Sequence, residues 1–160
     1  MFAKLLVAMD HSPRGEALFQ KGLALAKLHQ ADLMLLHVLS SEEEGSPVPI
    51  PAGADNMYWS PGLDFNTEIW RQEWENYESE CVEKLRSLAQ EAKKSGVNSE
   101  FRQILGNTGR VICEFAQSWG ADLILIGNRG RSGLKEMVLG SVSNYVLHHA
   151  LCDVLTFKSL

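Results

Sequence analysis

The chain has 160 residues, of which 45% are hydrophobic and 22% charged, a length and balance suited to one folded domain with a proper core. Its net charge of -5 argues against a nucleic-acid binder, which needs a basic stripe for the phosphate backbone. Three scattered cysteines, Cys81, Cys113 and Cys152, form no CxxC pair and no disulfide framework, so the expected setting is the reducing cytoplasm.

The first apolar run, Leu5 to Met9, is too short for a signal segment or a membrane span, and Asp10 ends it. With Lys4 it reads as a strand covered on both faces, because no polar residue alternates with the apolar ones. Ser12 and Pro13 then mark a helix start, the serine as N-cap and the proline in the first turn. This helix is expected to turn Leu18, Leu25 and Leu28 inward and to stop at His29 or Gln30. Leu33 to Val38 reads as a second buried strand.

Between residues 40 and 66 the periodicity fails. Pro47, Pro49, Pro51 and Pro61 with Gly45, Gly53 and Gly62 predict a loop insertion, either a surface excursion or a lid. Its acidic run, Glu42-Glu43-Glu44, reads as a solvated loop face. Spacing of three and four resumes at Ile69 and carries Trp70, Trp74, Tyr77, Cys81, Leu85, Leu88 and Ala92 on one face of a long helix ended by Gly96. Glu80 and Lys84 fit an i,i+4 pair on that helix.

Residues 101–105 read as a third strand. Asn107 or Thr108 caps the next helix, which buries Val111, Ile112, Phe115, Ala116 and Trp119 and stops at Gly120. Residues 123–126 make a fourth apolar strand. A glycine-containing loop follows, then a helix over residues 141–150 and a fifth strand over 154–157. Alternating strands and helices predict an α/β fold: one domain over residues 1–160, a doubly wound, five-stranded parallel sheet with helices on both faces. In the order 3-2-1-4-5, the first and fourth strands are neighbours whose helices leave on opposite faces. That divergence opens a crevice at their carboxyl ends, where such sheets bind ligands. Asp10 stands at one end and Gly127 at the other.

The loop after the fourth strand carries the chemistry. Gly127 and Gly130 let backbone N–H groups approach an anion, and Gly140 and Ser141 stand at a helix start, where unpaired amides and the macrodipole favour negative charge. Ser141 and Ser143 add hydroxyls, and Arg129 and Arg131 add charge-assisted donors. The spacing is neither GxxxxGK[ST] nor GxGxxG. It is G-x2-G-x9-G-[ST], filled by Gly127, Gly130, Gly140 and Ser141.

With that motif the chain resembles the universal stress protein family, in its ATP-binding branch. The likeness extends to Leu5-Leu6-Val7-Ala8-Met9-Asp10, to Leu36-His37-Val38 and to Cys152-Asp153-Val154-Leu155. The resemblance implies a nucleotide-binding signalling or stress-response protein that takes ATP or AMP. Ala8, Met9 and Asp10 would line the adenosine side and Val38 would meet adenine through its backbone. Gly127, Asn128, Arg129, Gly130, Gly140, Ser141, Val142 and Ser143 would surround ribose and phosphates. A divalent ion, Mg or Mn, would accompany the phosphates. A homodimer would pair the fifth strands, Val154 to Phe157. Two features depart from the family pattern: Asp153 replaces a proline before the last strand, and the 40–66 insertion is long.

Two other readings compete. One is an enzyme of the related adenine nucleotide α-hydrolase superfamily, hydrolysing or transferring the nucleotide, with Asp10 as its only candidate base. The other is a dimeric adaptor without ligand. No paired carboxylates, Ser-His-Asp order or Cys-His pair stands out. Ser132 and Lys135 fit S-x-x-K by letter, but the companion SDN and KTG motifs are missing. The histidines offer no metal site. His148 and His149 are about 100° apart on their helix, one expected in solvent and one partly buried. His37 reads as a satisfied structural histidine.

Overall fold

A computed structural model describes residues 1–43, 45–47, 67–128 and 140–158. The elements follow as β1 (Lys4–Ala8), α1 (Pro13–His29), β2 (Asp32–Leu39), α2 (Thr67–Lys94), β3 (Ser99–Leu105), α3 (Thr108–Trp119), β4 (Leu123–Asn128), α4 (Ser141–His149) and β5 (Asp153–Lys158). All pairings are parallel, and the strands form one sheet in the order β3-β2-β1-β4-β5. The expected doubly wound α/β architecture is the one observed.

The unbroken apolar runs of the inner strands reflect a sheet buried on both sides. Successive side chains point to opposite faces. Leu5, Val7, Leu33, Leu35, Leu123 and Leu125 pack with α1 and α2, whereas Leu6, Ala8, Met34, Leu36, Ile124 and Ile126 pack with α3 and α4. The edge strands alternate instead: β3 and β5 each expose every other residue over part of their length.

Local signals set most helix ends. Ser12 Oγ accepts the Gly15 N–H at 3.4 Å to cap α1, with Pro13 in its first turn. Asn107 caps α3, which ends at Gly120 in the left-handed conformation at φ 74°. Three expectations are corrected. Leu28 is 75% exposed, because it lies about 200° around α1 from the buried Ala26. Lys84 reaches Glu16 of α1 at 3.5 Å rather than Glu80, bracing α2 against its neighbour. His148 and His149 are both exposed; His149 stacks on Tyr145 with ring centroids 4.0 Å apart, and its Nδ1 stands 2.8 Å from the Tyr145 carbonyl oxygen.

The stripe along α2 is buried only in its later part. Tyr77, Cys81, Leu85, Leu88 and Ala92 are buried, while Ile69 is 56% exposed and Trp70 and Trp74 are half-buried. A helix of 28 residues extends about 42 Å, and the strands beside it only about 26 Å, so its start overshoots the sheet. No helix among the described residues is long and apolar enough to cross a membrane.

Candidate functional site

The central strand is the shortest. β1 ends at Ala8, which pairs with Leu36 on one side and Ile126 on the other. The Met9 amide adds one bond, to the Leu36 carbonyl at 3.0 Å, before the chain turns towards α1. Both neighbours run on: β2 continues to Leu39, beside Leu105, and β4 to Asn128, beside Lys158. The result is a notch at the carboxyl edge of the sheet, over the end of β1. Since α1 leaves on one face and α4 packs on the other, the notch lies where a doubly wound sheet takes ligands.

On the β1 side, the Asp10 Oδ1 accepts both the amide of Ser12, at 3.1 Å, and its hydroxyl. The turn is pressed tightly onto α1, for a Cβ at Gly15 would stand 2.1 Å from the Asp10 carbonyl oxygen. Met9 and Ala8 are buried beneath. Val38 presents backbone to the notch. Parallel strands alternate, so alternate residues bond to the same neighbour. Leu36 bonds to Met9 on the β1 side and Leu39 to Gly106 on the β3 side, which turns the Val38 amide and carbonyl to the side β1 has left. Its side chain stays in the core.

On the β4 side, Gly127 is still a strand residue, paired with Phe157, so the sharp turn expected at this glycine is not there. No described atom lies within 4 Å of a Cβ built on Gly127. The Asn128 Oδ1 accepts the Gly140 N–H at 3.2 Å and clips together the two ends of the connection. Arg129, Gly130 and Arg131 lie outside the described residues.

Helix α4 starts without a side-chain cap: Gly140 is the N-cap, and Ser141 the first helical residue. The intrahelical ladder begins with Asn144 N–H to the Gly140 carbonyl at 2.9 Å, so the amides of Ser141, Val142 and Ser143 precede it. Ser141 is exposed and Val142 half-buried. Ser143 is 2% exposed, and its hydroxyl donates to the Gly140 carbonyl at 3.0 Å, so only its amide is available at the helix start.

Sequence reasoning missed a polar cluster beside this notch. The Glu43 side chain is only 6% exposed, which overturns the reading of its run as a solvated face; Glu42 alone fits that description, and Glu44 is outside the described residues. Glu43 Oε2 accepts from His37 Nε2 at 2.7 Å and from the Tyr77 hydroxyl at 2.9 Å, and Oε1 accepts the His11 amide at 2.9 Å. Burial alone would push the Glu43 carboxyl up, but the His37, His11 and Tyr77 bonds outweigh it and hold it below the ordinary range. Burial likewise works against the His37 charge, and the Glu43 and Gln103 hydrogen bonds prevail, leaving its pKa raised. No motif spacing marks this cluster, because Gln103 and His37 are 66 positions apart.

Among the described residues, no group of three or more His, Cys, Asp or Glu side chains is arranged to hold a metal.

The model of the universal stress protein family matches residues 1–158. Universal stress protein Sll1388 of Synechocystis is 32% identical over 154 residues, covering 96% of each chain. Universal stress protein YxiE of Bacillus subtilis is 33% identical over 159 residues, covering 99% of this chain and all of its own. Among solved structures, hypothetical protein MJ0577 superposes with a TM-score of 0.74 at 22% identity, covering 100% and 98% of the two chains. A universal stress protein family protein of Arabidopsis thaliana with AMP bound gives 0.63 at 20% identity, over 99% and 92%. A universal stress protein in complex with cAMP gives 0.61 at 22%, over 98% and 97%.

Proposed function

The chain belongs to the universal stress protein family, and from that premise we propose that it binds an adenine nucleotide, ATP or AMP, in the notch over β1 and acts as a stress-response or signalling protein. The observation that carries the reading is the coincidence of an α4 start whose N-cap is a glycine with a Gly127 that no described atom approaches within 4 Å of a built Cβ, at the point where β1 stops short. Three amides and the positive end of a helix dipole are suited to phosphate oxygens. Structural relatives with AMP, cAMP and dAMP support an adenine nucleotide as the ligand class.

In this reading Ala8, Met9, Asp10 and the Val38 backbone receive the adenosine. Gly127, Asn128, Arg129, Gly130, Gly140, Ser141, Val142 and the Ser143 amide surround ribose and phosphates. Mg or Mn would sit on the phosphates. The unit spans residues 1–160 with its insertion at 40–66 and works as a cytoplasmic homodimer through the β5 edge. In support of that contact, β5 pairs with β4 alone among the described residues, and Leu155 is 38% and Leu151 79% exposed beside it.

The test is to denature the purified protein and chromatograph what it releases, then to titrate AMP and ATP, with and without Mg, by calorimetry. Copurifying adenine nucleotide, or saturable binding that raises thermal stability, is expected; at a hundred times Kd the native state gains about 2.7 kcal/mol. A protein that releases no nucleotide and shows neither heat nor a thermal shift with AMP or ATP overturns the proposal.

A further inference from the structure

His37, Glu43, Tyr77 and Gln103 come from β2, the segment after it, α2 and β3, and their hydrogen bonds define where the protons are. The Gln103 amide nitrogen donates to the Glu78 carbonyl at 3.2 Å, so its Oε1 is the atom facing His37 Nδ1 at 3.0 Å. The other ring nitrogen, Nε2, stands 2.7 Å from Glu43 Oε2. Both ring nitrogens thus face acceptors, and only the imidazolium can donate to both. The remaining partners of Glu43, the Tyr77 hydroxyl and the His11 amide, are donors, which is the environment of a carboxylate. The pair is an ion pair with side chains 3% and 6% exposed.

Two of these bonds reach the notch. His11 directly follows Asp10, and its amide is pinned by Glu43; His37 directly precedes Val38. One carboxylate therefore ties the turn leaving β1 to the overhanging end of β2. We propose that Glu43 is a positioning residue for the adenosine side of the pocket, holding residues 10–12 and Val38 in place for as long as His37 carries its second proton. This rests on the nucleotide reading above.

Loss of that proton turns one ring nitrogen into an acceptor aimed at another acceptor, either the Glu43 carboxylate or the Gln103 carbonyl. The surroundings delay that loss. Burial opposes the charge, but Glu43, Gln103 and the Asp10 carboxylate from the β1 turn all favour it and raise the His37 pKa. The His11 ring is driven below the ordinary range by burial, by Lys84 and by His37 itself, with Glu43 and Glu80 of α2 partly offsetting, so it is neutral where His37 titrates. From the same helix, Tyr77 is pushed well above its usual range by burial and the Glu43 charge, and Cys81 up to about 12 by the same two causes, so both stay neutral. His37 is then the group of this cluster whose proton, held above the ordinary histidine range, is lost first as pH rises. The tether is complete below its raised pKa and is lost as pH rises through it. On the acid side it is lost as pH falls through the lowered pKa of Glu43.

The experiment is calorimetric titration of AMP, from mildly acid to mildly alkaline pH, into the wild-type chain and the variants Glu43→Gln and Gln103→Met. Ionisation of the AMP phosphate affects all three alike, so affinities are compared as ratios at each pH. Wild type should bind about tenfold more tightly than Glu43→Gln near neutrality, and this ratio should shrink towards one on the alkaline side. Gln103→Met removes an acceptor at a half-buried edge-strand position and should shift the alkaline limb to lower pH. It carries the comparison if Glu43→Gln does not fold. Nitrogen-15 NMR should find both His37 ring nitrogens protonated at neutral pH. AMP binding with parallel pH profiles in wild type and variants, or a His37 ring with one bare nitrogen at neutral pH, overturns this proposal and leaves the nucleotide reading standing. Failure of the wild type to bind AMP at any pH overturns both.

Discussion

The two walls of the notch are built from different materials. The β4 and α4 wall is backbone: Gly127, with no described atom within 4 Å of where a Cβ would stand, three amides ahead of the α4 ladder, and an asparagine clip between Asn128 and Gly140. The β1 and β2 wall is side chain: a sequestered ion pair, a tyrosine hydroxyl and a glutamine, saturated with partners and anchored to the His11 amide. Backbone donors ahead of a helix ladder suit a wall that must bind a charged ligand. Side chains committed to partners suit a wall whose task is to keep a turn and a strand end in place. Substitutions should therefore separate the walls: the first should lose affinity with little loss of stability, the second stability first.

The largest effect belongs to the backbone wall. Gly140→Val places a branched side chain at the α4 N-cap, where phosphate has to approach the amides. AMP and ATP affinity should fall by at least about a hundredfold, or some 2.7 kcal/mol. The backbone at Gly140, φ −57° and ψ 152°, is open to any residue, so the fold should lose only the roughly 1 kcal/mol of a poor N-cap. Calorimetry and urea unfolding on the same preparation separate the two numbers. Affinity equal to wild type breaks the comparison at its first wall.

The side-chain wall should answer in stability. Glu43→Gln discharges one member of the pair and should cost about 2–4 kcal/mol in urea unfolding near neutral pH, since it leaves a histidine without its counter-charge. The cost should depend on pH in a definite direction. The raised pKa of His37 contributes stability that is fully present below its ordinary value and is lost as pH climbs through the raised one. The lowered pKa of Glu43 contributes stability present above its ordinary value and lost as pH drops through the lowered one. The difference between wild type and variant should peak between those two limits and shrink on either side. A difference constant with pH would mean that packing, not charge, holds this wall together.

The same contrast explains which parts were legible in the sequence. The backbone wall is contiguous: Gly127, Asn128, Gly140 and Ser141 lie on one strand, loop and helix start, so a spacing pattern exposes them. The strands were legible because burial on both faces removes all polar alternation, and helix starts at Ser12 and Asn107 because capping is local. Glu43 had no such signal. In an acidic run inside a proline-rich stretch a solvated face is the simplest reading, and only the tertiary fold brings His37, Tyr77 and Gln103 around it. Leu28 failed for a smaller reason, one apolar residue off the buried stripe of α1. A motif reports neighbours in sequence, whereas a buried network reports neighbours in space.

The smallest effect tests the boundary between the walls. Ser143 was expected to offer its hydroxyl to phosphate, yet it is 2% exposed and donates that hydrogen to the Gly140 carbonyl at 3.0 Å. If that bond persists when nucleotide is bound, Ser143 acts at the phosphate site through its amide alone, which alanine retains. Ser143→Ala should then leave AMP affinity within about twofold, while stability falls by the roughly 1 kcal/mol of a lost hydrogen bond. Ser141→Ala supplies the contrast, because Ser141 is exposed at the first position of α4 and its hydroxyl is free to turn towards a phosphate oxygen. That variant should lose several-fold in affinity and almost nothing in stability. A tenfold affinity loss in Ser143→Ala with unchanged unfolding would mean that the hydroxyl leaves Gly140 for the phosphate, and that this wall reorganises when it binds.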